Sequence, residues 1–500
     1  MTGFKKERGN VSFCRVLAKF RPQEDFKVRT FSVTGTEATL CYFDSLTDGE
    51  KLGSLVLQPL LQLQKYAFSA EQLTKELLYL PNVQSLATNA CAETERTMQE
   101  ELLSGHALLC YRDEVLSLDV RMAEGRAVAE PPTSGVNKGP REGFVESCKT
   151  NLMLLRKRLK TPGFCVKSKT VGRLTQTSVQ ICYIKGVAKA EIVRRVEKEL
   201  DKIDIDGILD SSYLSNYLDG GSTLFKMVGT TEKPDIAVAK MLEGRICLLV
   251  DGSPIALTVP YLFVEDLQSP DDYYDTAETA TVARLLRLLA VFGSVMLPGL
   301  FVSLEMYNYQ IIPTKFLITI MSATEGLPFS QITEMLLVLV LFDILREASA
   351  RMPQFAGVTL SIVGAIVLGD AAVKAGLLGA PSVMIGALSG IGLYTMPDNT
   401  LILSLLRLAI TIAGGVMGVF GVLLLSLFLL CYAVSLQRYD TPYLAPFAPA
   451  VSADWKDAVR KKRLTQMRYR PYSLPNEDRR RLRLLSKESA DAEQKGEKKP

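Results

Sequence analysis

The feature that most constrains this chain of 500 residues is an apolar block between Leu288 and Leu436. Three stretches of the block contain no charged residue: 288–304, 375–397 and 408–437. About 20 apolar residues, rising 1.5 Å each, cross the hydrocarbon core of a bilayer. The last stretch exceeds that length and, together with 401–406, allows either two spans that turn near Gly414 and Gly415 or one long tilted helix. The block therefore predicts an integral membrane protein.

Composition divides the chain into regions of different character. A hydrophobic content of 48% is too high for an ordinary soluble protein of this length and too low for a membrane bundle alone. Residues 1–10 are polar and no apolar stretch follows them, so we expect no cleavable signal peptide and a cytoplasmic N-terminal region. Seven Lys and Arg residues at 456–470 follow the last apolar stretch and place the tail in the cytoplasm as well. Termini on one side require an even number of spans, so four or six are expected.

Several function classes are disfavoured by residues that the chain lacks. Its nine cysteines include no C-x-x-C pair, and His106 is the single histidine, so we expect no disulfide framework and no histidine-rich metal site. The phosphate-binding loop G-x-x-x-x-G-K-[ST] does not occur. We expect a protein that is not an enzyme, with no cofactor, no metal and no nucleic-acid partner.

The polar region repeats itself at an offset of about 138 to 141 residues. Three pairs of segments correspond: 26–28 with 164–166, 38–43 with 179–184, and 103–110 with 242–249. In each copy an apolar helical pattern follows the second segment, at 52–63 and at 190–203. The second copy closes on a hairpin whose turn contains Asp251 and Gly252, a pair typical of tight turns.

These patterns predict a fold class: a soluble α/β N-terminal region of two related subdomains, followed by an all-α polytopic membrane domain of four to six spans. The predicted divisions are an N-terminal arm (1–24), cytoplasmic subdomain 1 (25–129), a linker (130–142), cytoplasmic subdomain 2 (143–275), the helical membrane domain (276–437), a basic cytoplasmic tail (438–484) and a disordered C-terminus (485–500).

Short motifs spread over residues 26–472 carry a family resemblance. They include 139–144 (GPREGF), 203–207 (IDIDG), 242–245 (LEGR), 250–254 (VDGSP), 345–348 (LREA) and 442–446 (PYLAP). In this order they resemble the A subunit of bacterial spore germination receptors of the GerA type. A paralogous branch, the stage V sporulation AF-type proteins, is similar over the same span.

The resemblance implies a subunit of the endospore inner membrane that works in the response to a nutrient germinant. It further implies a ring of identical subunits around an ion pathway, with a transporter-like B subunit and a lipoprotein C subunit as partners. The AF-type branch implies instead a membrane protein that amplifies germination. A scaffold that only assembles other subunits is a further alternative.

Ionisable residues in the apolar block are the candidates for an ion pathway or gate, because each is costly at membrane depth. They are Asp343, Arg346, Glu347, Arg351, Asp370 and Lys374. The first four follow an apolar run of eight residues, 335–342, which favours a short or re-entrant segment. An interfacial helix with self-paired charges is the alternative for these four, and self-neutralisation for the pair at 370 and 374. For Arg407 the favoured interpretation is a side chain that reaches the headgroups from near a helix end.

Small residues spaced four apart predict close helix packing. The two patterns are Gly386 with Gly390, and Gly414 with Gly418. Pro298 and Pro381 are expected to kink or break helices.

Overall fold

The computed structural model describes residues 11–33, 36–58, 83–86, 92–111, 114–122, 138–221, 223–351, 364 and 367–481. Most of the predicted linker and all of the predicted disordered C-terminus lie outside these residues. The chain divides into two compact units, 1–261 with 438–441 and 467–500, and 262–437 with 442–466. The segment 438–484, which its basic composition sets apart, is thus divided between the two units.

The first unit contains two antiparallel sheets of five strands. The first sheet has the order β1-β2-β4-β5-β3, from β1 (Phe26–Val33), β2 (Thr36–Phe43), β3 (Val83–Leu86), β4 (Ala107–Tyr111) and β5 (Glu114–Leu118). The second has the order β6-β7-β9-β10-β8, from β6 (Phe164–Val171), β7 (Thr177–Ile184), β8 (Gly229–Thr231), β9 (Ile246–Val250) and β10 (Ala256–Val259).

The two sheets have the same strand order, in agreement with the repeat in the sequence. In both, the first two strands pair along eight residues, from Phe26 opposite Phe43 and from Phe164 opposite Ile184. The edge strands β3 and β8 were not predicted, because four and three residues are too few to show a period.

Helices cover the sheets of the first unit. They are α1 (Val11–Phe20), α2 (Ala92–Leu103), α3 (Cys148–Arg158), α4 (Ala190–Leu200), α5 (Ser211–Leu218) and α6 (Pro234–Leu242), with a short helical segment at Gly49–Lys51 and Leu52–Leu57. The hydroxyl of Ser147 caps the start of α3. In the same helix the fully buried Arg156 donates to Asp25 at 2.6 Å and lies over the ring of Phe43 at 4.1 Å. This arginine therefore joins residues of both subdomains.

The second unit is helical. Its main helices are α7 (Ala277–Tyr307), α8 (Thr314–Thr324), α9 (Gln331–Arg351), α10 (Ala380–Leu393) and α11 (Thr400–Ser435). Shorter elements are Phe263–Leu267, Pro270–Tyr274, Tyr309–Ile311, Val367–Ala371, Ala372–Lys374, Pro397–Asn399, Trp455–Ala458 and Leu464–Gln466. The two-residue strands Gln437–Arg438 and Thr441–Pro442 follow α11. Pro298 lies inside α7, and Pro381 lies in the first turn of α10, where proline is tolerated.

Helix α11 reverses its direction at Gly418, whose φ of 65° and ψ of −154° are not helical. A Cβ atom on Gly421 would lie only 2.3 Å from the carbonyl oxygen of Ala413, eight residues earlier. In a straight helix those residues would be about 12 Å apart. The segments 400–417 and 419–435 therefore form a helical hairpin. Of the two predicted alternatives, the structure has the turn, three residues after Gly415.

Among the described residues, two helices are long and apolar enough to cross a membrane, Ala277–Tyr307 and Pro397–Ser435. The shorter apolar helix Ala380–Leu393 has 14 residues. Helix α9 continues past the apolar run 335–342 through the charged residues, for 21 residues in all, or about 31 Å at 1.5 Å per residue. It is not one of the two helices of the described chain that are apolar enough to cross a membrane, so the expectation of a short or re-entrant segment stays a prediction.

Candidate functional site

A buried ion pair joins three helices of the second unit. The Arg407 side chain on α11 is fully buried, and its Nη2 donates to Oδ1 of Asp343 on α9 at 2.9 Å. Its Nη1 donates to the hydroxyl of Ser389 on α10 at 3.1 Å. The hydroxyl of Ser404 donates to the second oxygen of Asp343, so both carboxylate oxygens are used.

The interpretation of Arg407 as a headgroup-reaching side chain is wrong. Seven residues separate it from the start of α11, about 10 Å along the helix, and its guanidinium points to a carboxylate instead of a helix end. A buried charge that keeps its partner avoids most of the cost of an isolated one. Asp343 and Arg407 carry opposite charges in apolar segments, which is the sequence feature that indicates such a pair. Their separation of 64 residues leaves no spacing from which the contact could be predicted.

The other members of the predicted cluster divide into two groups. Arg346 is half-buried and lies 3.4 Å from Asp343, so one carboxylate faces two guanidiniums. In the described part of the chain, Nη1 of Arg346 and Nε of Arg407 are buried without a hydrogen-bond partner. Glu347 and Arg351 are exposed and pair with each other at 2.7 Å, one turn apart. The cluster therefore consists of a half-buried group around Asp343 and an exposed pair further along the same helix.

The second predicted pair stands apart from this site. Lys374 donates to Asp370 at 2.8 Å within one helical turn, and both side chains are exposed. Such pairs contribute little to stability, about 0.3–0.5 kcal/mol. This geometry matches the self-neutralising alternative.

The glycines of the two predicted packing patterns have different roles. A Cβ on Gly386 would lie 2.5 Å from Cγ1 of Val338, and one on Gly414 would lie 2.5 Å from the carbonyl oxygen of Gly299. Both glycines therefore permit close helix contacts, on α9 and α7. Gly390 has open space around its Cα, and Gly418 makes the turn of the hairpin, so neither acts as the predicted spacing suggests.

Next to the start of α7 lies a second buried network of charges. Arg284 Nε donates to Asp272 at 3.0 Å and its Nη1 to Asp457 at 3.0 Å, while Arg287 makes two bonds of 2.8 Å to Asp272. Burial raises the pKa of Asp272, but the hydrogen bonds from Arg287 and Arg284 outweigh it, so the pKa lies below its ordinary value. The Lys461 ammonium donates to the backbone of Asp272. Residues before α7 and after α11 are thus tied together.

The first unit has an open polar groove of about 550 Å³ between its two sheets. Four carboxylates and two lysines line it: Glu24, Asp25, Asp44, Asp251, Lys27 and Lys149. Asp251 and Gly252 form the turn between β9 and β10, as predicted, and Gly252 has a φ of 85°. Asp251 also accepts from the backbone amide of Cys148 at 3.1 Å, so the turn holds the start of α3. No group of three or more His, Cys, Asp or Glu side chains suited to a metal occurs in the described residues.

The chain thus belongs to the class of proteins that combine an α/β unit with a helical unit. Here the α/β unit has two similar sheets, and the helical unit has apolar helices of membrane-spanning length. The family model described as Bacillus/Clostridium GerA spore germination protein matches residues 15–473. The chain belongs to this GerA family of spore germination proteins.

Individual relatives match over most of their length. Spore germination protein KA of Bacillus subtilis (strain 168) is 34% identical over 88% of this chain and 81% of its own. The uncharacterized membrane protein YfkQ of the same organism is 31% identical, over 84% and 82%. The crystal structure of the N-terminal domain of the A subunit of the Bacillus megaterium spore germinant receptor GerK3 is 29% identical, with a TM-score of 0.39, and the match covers 52% of this chain and 99% of that one.

Proposed function

We propose that this chain is the integral membrane A subunit of a nutrient germinant receptor in the inner membrane of endospores. In this proposal several copies assemble to form or gate an ion pathway that triggers germination. A transporter-like B subunit and a lipoprotein C subunit are its partners, with membrane lipid around the helical unit. Membership of the germination family supports the role in germination.

The observation that carries the ion pathway is the Asp343–Arg407 pair. Ionisable residues inside membrane helices are costly and commonly mark ion pathways. This pair lies well inside two helices and is bonded to a third through Ser389. The Asp343 carboxylate binds Arg407 of α11 and lies 3.4 Å from Arg346 of its own helix. A small movement of α9 that separates Asp343 from Arg407 changes the net charge between these helices. A contact of this kind is suited to a gate.

The helical unit is consistent with four crossings of the bilayer. The crossings are α7, α9, 400–417 and 419–435. Residues near the end of α7 contact residues near the end of 400–417, since the Tyr307 hydroxyl donates to the carbonyl of Gly415 at 3.0 Å. These two segments therefore run in the same direction. In this proposal, an even number of crossings leaves the chain before α7 and the chain after α11 on the same, cytoplasmic side.

The test of the ion pathway compares spores that carry Asp343→Asn, Arg407→Gln or, as a matched control, Asp370→Asn. We expect nutrient-triggered cation release to become at least tenfold slower with the first two variants, since α9 and α11 lose the bond that sets their positions. The control removes an equal charge from an exposed pair and leaves release unchanged. Normal release with normal amounts of the first two variants would contradict a role in the pathway.

Deleting the gene separates the receptor from the alternatives. Loss of cation and dipicolinate release for one nutrient class identifies a receptor subunit. Slower release with every nutrient identifies an AF-type amplifier. A scaffold without conduction is distinguished by reconstitution, because the purified protein then gives no cation flux in liposomes.

A further inference from the structure

Two acidic residues that the ion-pathway proposal does not use lie at one end of the helical unit. Glu305 is two residues before the end of α7, and Glu334 is in the first turn of α9. Glu334 is fully buried. About one turn before Glu305, Phe301 and Val302 belong to the same buried apolar cluster as Met335, the residue after Glu334, so the two carboxylates project from helix segments that pack together. The Oε2 atoms of both are buried without a hydrogen-bond partner among the residues described. Neither forms an ion pair with a lysine, arginine or histidine of that part of the chain.

Two neutral oxygens without partners accompany these carboxylates. Oε1 of Gln331 and Oγ of Ser382 are both buried and accept or donate no hydrogen bond within the described ranges. Gln331 lies one turn before Glu334 on α9. Four unpartnered oxygen atoms thus belong to residues of three helices.

The packing of α10 against α9 brings Ser382 close to Glu334. Gly379 caps the start of α10, and its backbone N–H donates to Oε1 of Glu334 at 2.8 Å. Ser382 lies one turn before Gly386, which packs against Val338. Glu334 lies one turn before Val338 on α9. Glu334 and the fully buried Ser382 therefore approach the same point from two helices.

Two carboxylates in an apolar environment stay ionised only with a positive partner, and without one they share a proton. The start of α10 supplies a partial charge of about +0.5, which is less than the two carboxylates need. No hydrogen bond joins Ser382 to a carboxylate, although both have free oxygens.

We propose that Glu305, Glu334, Gln331 and Ser382 bind one divalent cation of the calcium type. All four donors are hard oxygen ligands, and two carboxylates match two positive charges. Calcium accepts irregular sets of six to eight oxygens, whereas magnesium requires a near-ideal octahedron. Donors from α7, α9 and α10 with no common symmetry suit calcium. The bound ion ties these three helices together.

The experiment measures equilibrium binding of ⁴⁵Ca²⁺ to the purified full-length protein in detergent. We expect one saturable site per chain, weakened at least tenfold in Glu334→Gln and Ser382→Ala and lost in the double variant Glu305→Gln/Glu334→Gln. Asp370→Asn, which neutralises an exposed carboxylate of the same unit, is expected to bind as the wild type does. Size-exclusion profiles establish that each variant is folded.

Two results would overturn the proposal. One is a wild-type protein that binds no calcium, with a thermal midpoint that rises as the pH falls from 8 to 5, which would indicate a shared proton. The other is a folded double variant that binds calcium as tightly as the wild type. The assay measures no ion flux, so its outcome is independent of the proposed receptor function.

Discussion

At the scale of single residues, three arginines of the described chain are almost completely buried. Each has an aspartate partner: Arg156 with Asp25, Arg284 with Asp272 and Arg407 with Asp343. Removing one partner of such a pair leaves an uncompensated charge, whereas replacing both can be nearly neutral. Each pair therefore favours one arrangement of the surrounding elements, because a movement that separates its partners isolates a charge.

We predict that Asp343→Asn lowers the free energy of unfolding by about 3–5 kcal/mol, because it leaves the buried Arg407 without a carboxylate partner. Arg407→Gln is expected to cost less, because Asp343 keeps Arg346 at 3.4 Å. The double variant is expected to lose less than the sum of the two. Thermal unfolding midpoints of the protein in detergent measure both effects. The exposed pair gives the control, since Lys374→Gln is expected to cost less than about 1 kcal/mol. Additive losses at 343 and 407 would show that the two side chains do not interact.

A pH effect is predicted at Asp119, which Arg121 binds through two hydrogen bonds of 2.9 and 2.7 Å. The hydrogen bond from Arg121 lowers the pKa of Asp119 from 3.8 to about 2. A carboxyl whose pKa is lower in the folded state stabilises the fold above pH 3.8 and loses this effect as the pH falls towards 2. The pair is partly exposed, so the contribution stays below about 1 kcal/mol.

The measurement compares thermal midpoints of the wild type and Asp119→Asn between pH 5 and pH 2. The wild type is expected to be the more stable at pH 5, and the difference to vanish near pH 2. Arg121→Gln is the matched variant and is expected to remove the same pH dependence. A difference that is constant over the whole range would exclude the ion pair as its cause.

At the scale of elements, α11 shows how a single glycine determines topology. Its φ and ψ lie in a region that is essentially restricted to glycine. The turn leaves carbonyl groups of the preceding segment without helical partners, and the Tyr307 hydroxyl donates to two of them, on Gly415 and Val416, at 3.0 and 3.1 Å. The reversal is thus stabilised by a side chain from another helix.

We predict that Gly418→Ala destabilises the protein by about 1–3 kcal/mol, because alanine is strained at this φ and ψ and its Cβ would lie 3.2 Å from Tyr307. Gly390→Ala is the matched control. That glycine is inside α10 with open space around it, so alanine is expected to be neutral or to stabilise by up to about 1 kcal/mol. The measurement is the midpoint of thermal unfolding of both variants. An equal change in the midpoint for Gly418→Ala and Gly390→Ala would contradict a strained turn at Gly418.

Patterns in the sequence predicted elements well where burial repeats at a regular spacing. The paired strands β1–β2 and β6–β7 follow from the apolar segments that recur at a nearly constant offset, and the structure pairs them in the same way in both copies. The turn at Gly418 was placed only approximately, because a run without charges contains several glycines and no periodic marker of the reversal. The Asp343–Arg407 contact depends on the packing of α9 against α11, which residue spacing along one chain does not encode.

At the scale of the whole molecule, the number of crossings determines on which side of the membrane each connection between helices lies. In the proposed topology of four crossings, Gln310, after α7, and Asp398, before α11, lie on opposite sides of the membrane, because α9 is the proposed crossing between them. The proposal thereby becomes testable without a germination assay.

We predict that Gln310→Cys reacts with an impermeant maleimide added outside intact cells, and that Asp398→Cys reacts only after permeabilisation. The background carries Cys14→Ser and Cys431→Ser, since these are the exposed cysteines of the described chain. The parent without the new cysteines gives the control for labelling elsewhere. Reaction of both positions from the same side would require a different number of crossings.

The charge network around Arg284 has a consequence for biosynthesis. This arginine leaves the ribosome 173 residues before Asp457, one of the two carboxylates that it binds. Until Asp457 is synthesised, Asp272 is the one carboxylate of this network that Arg284 can bind. A chain that stops between α11 and Asp457 therefore lacks the ion pair that joins α7 to the segment after α11.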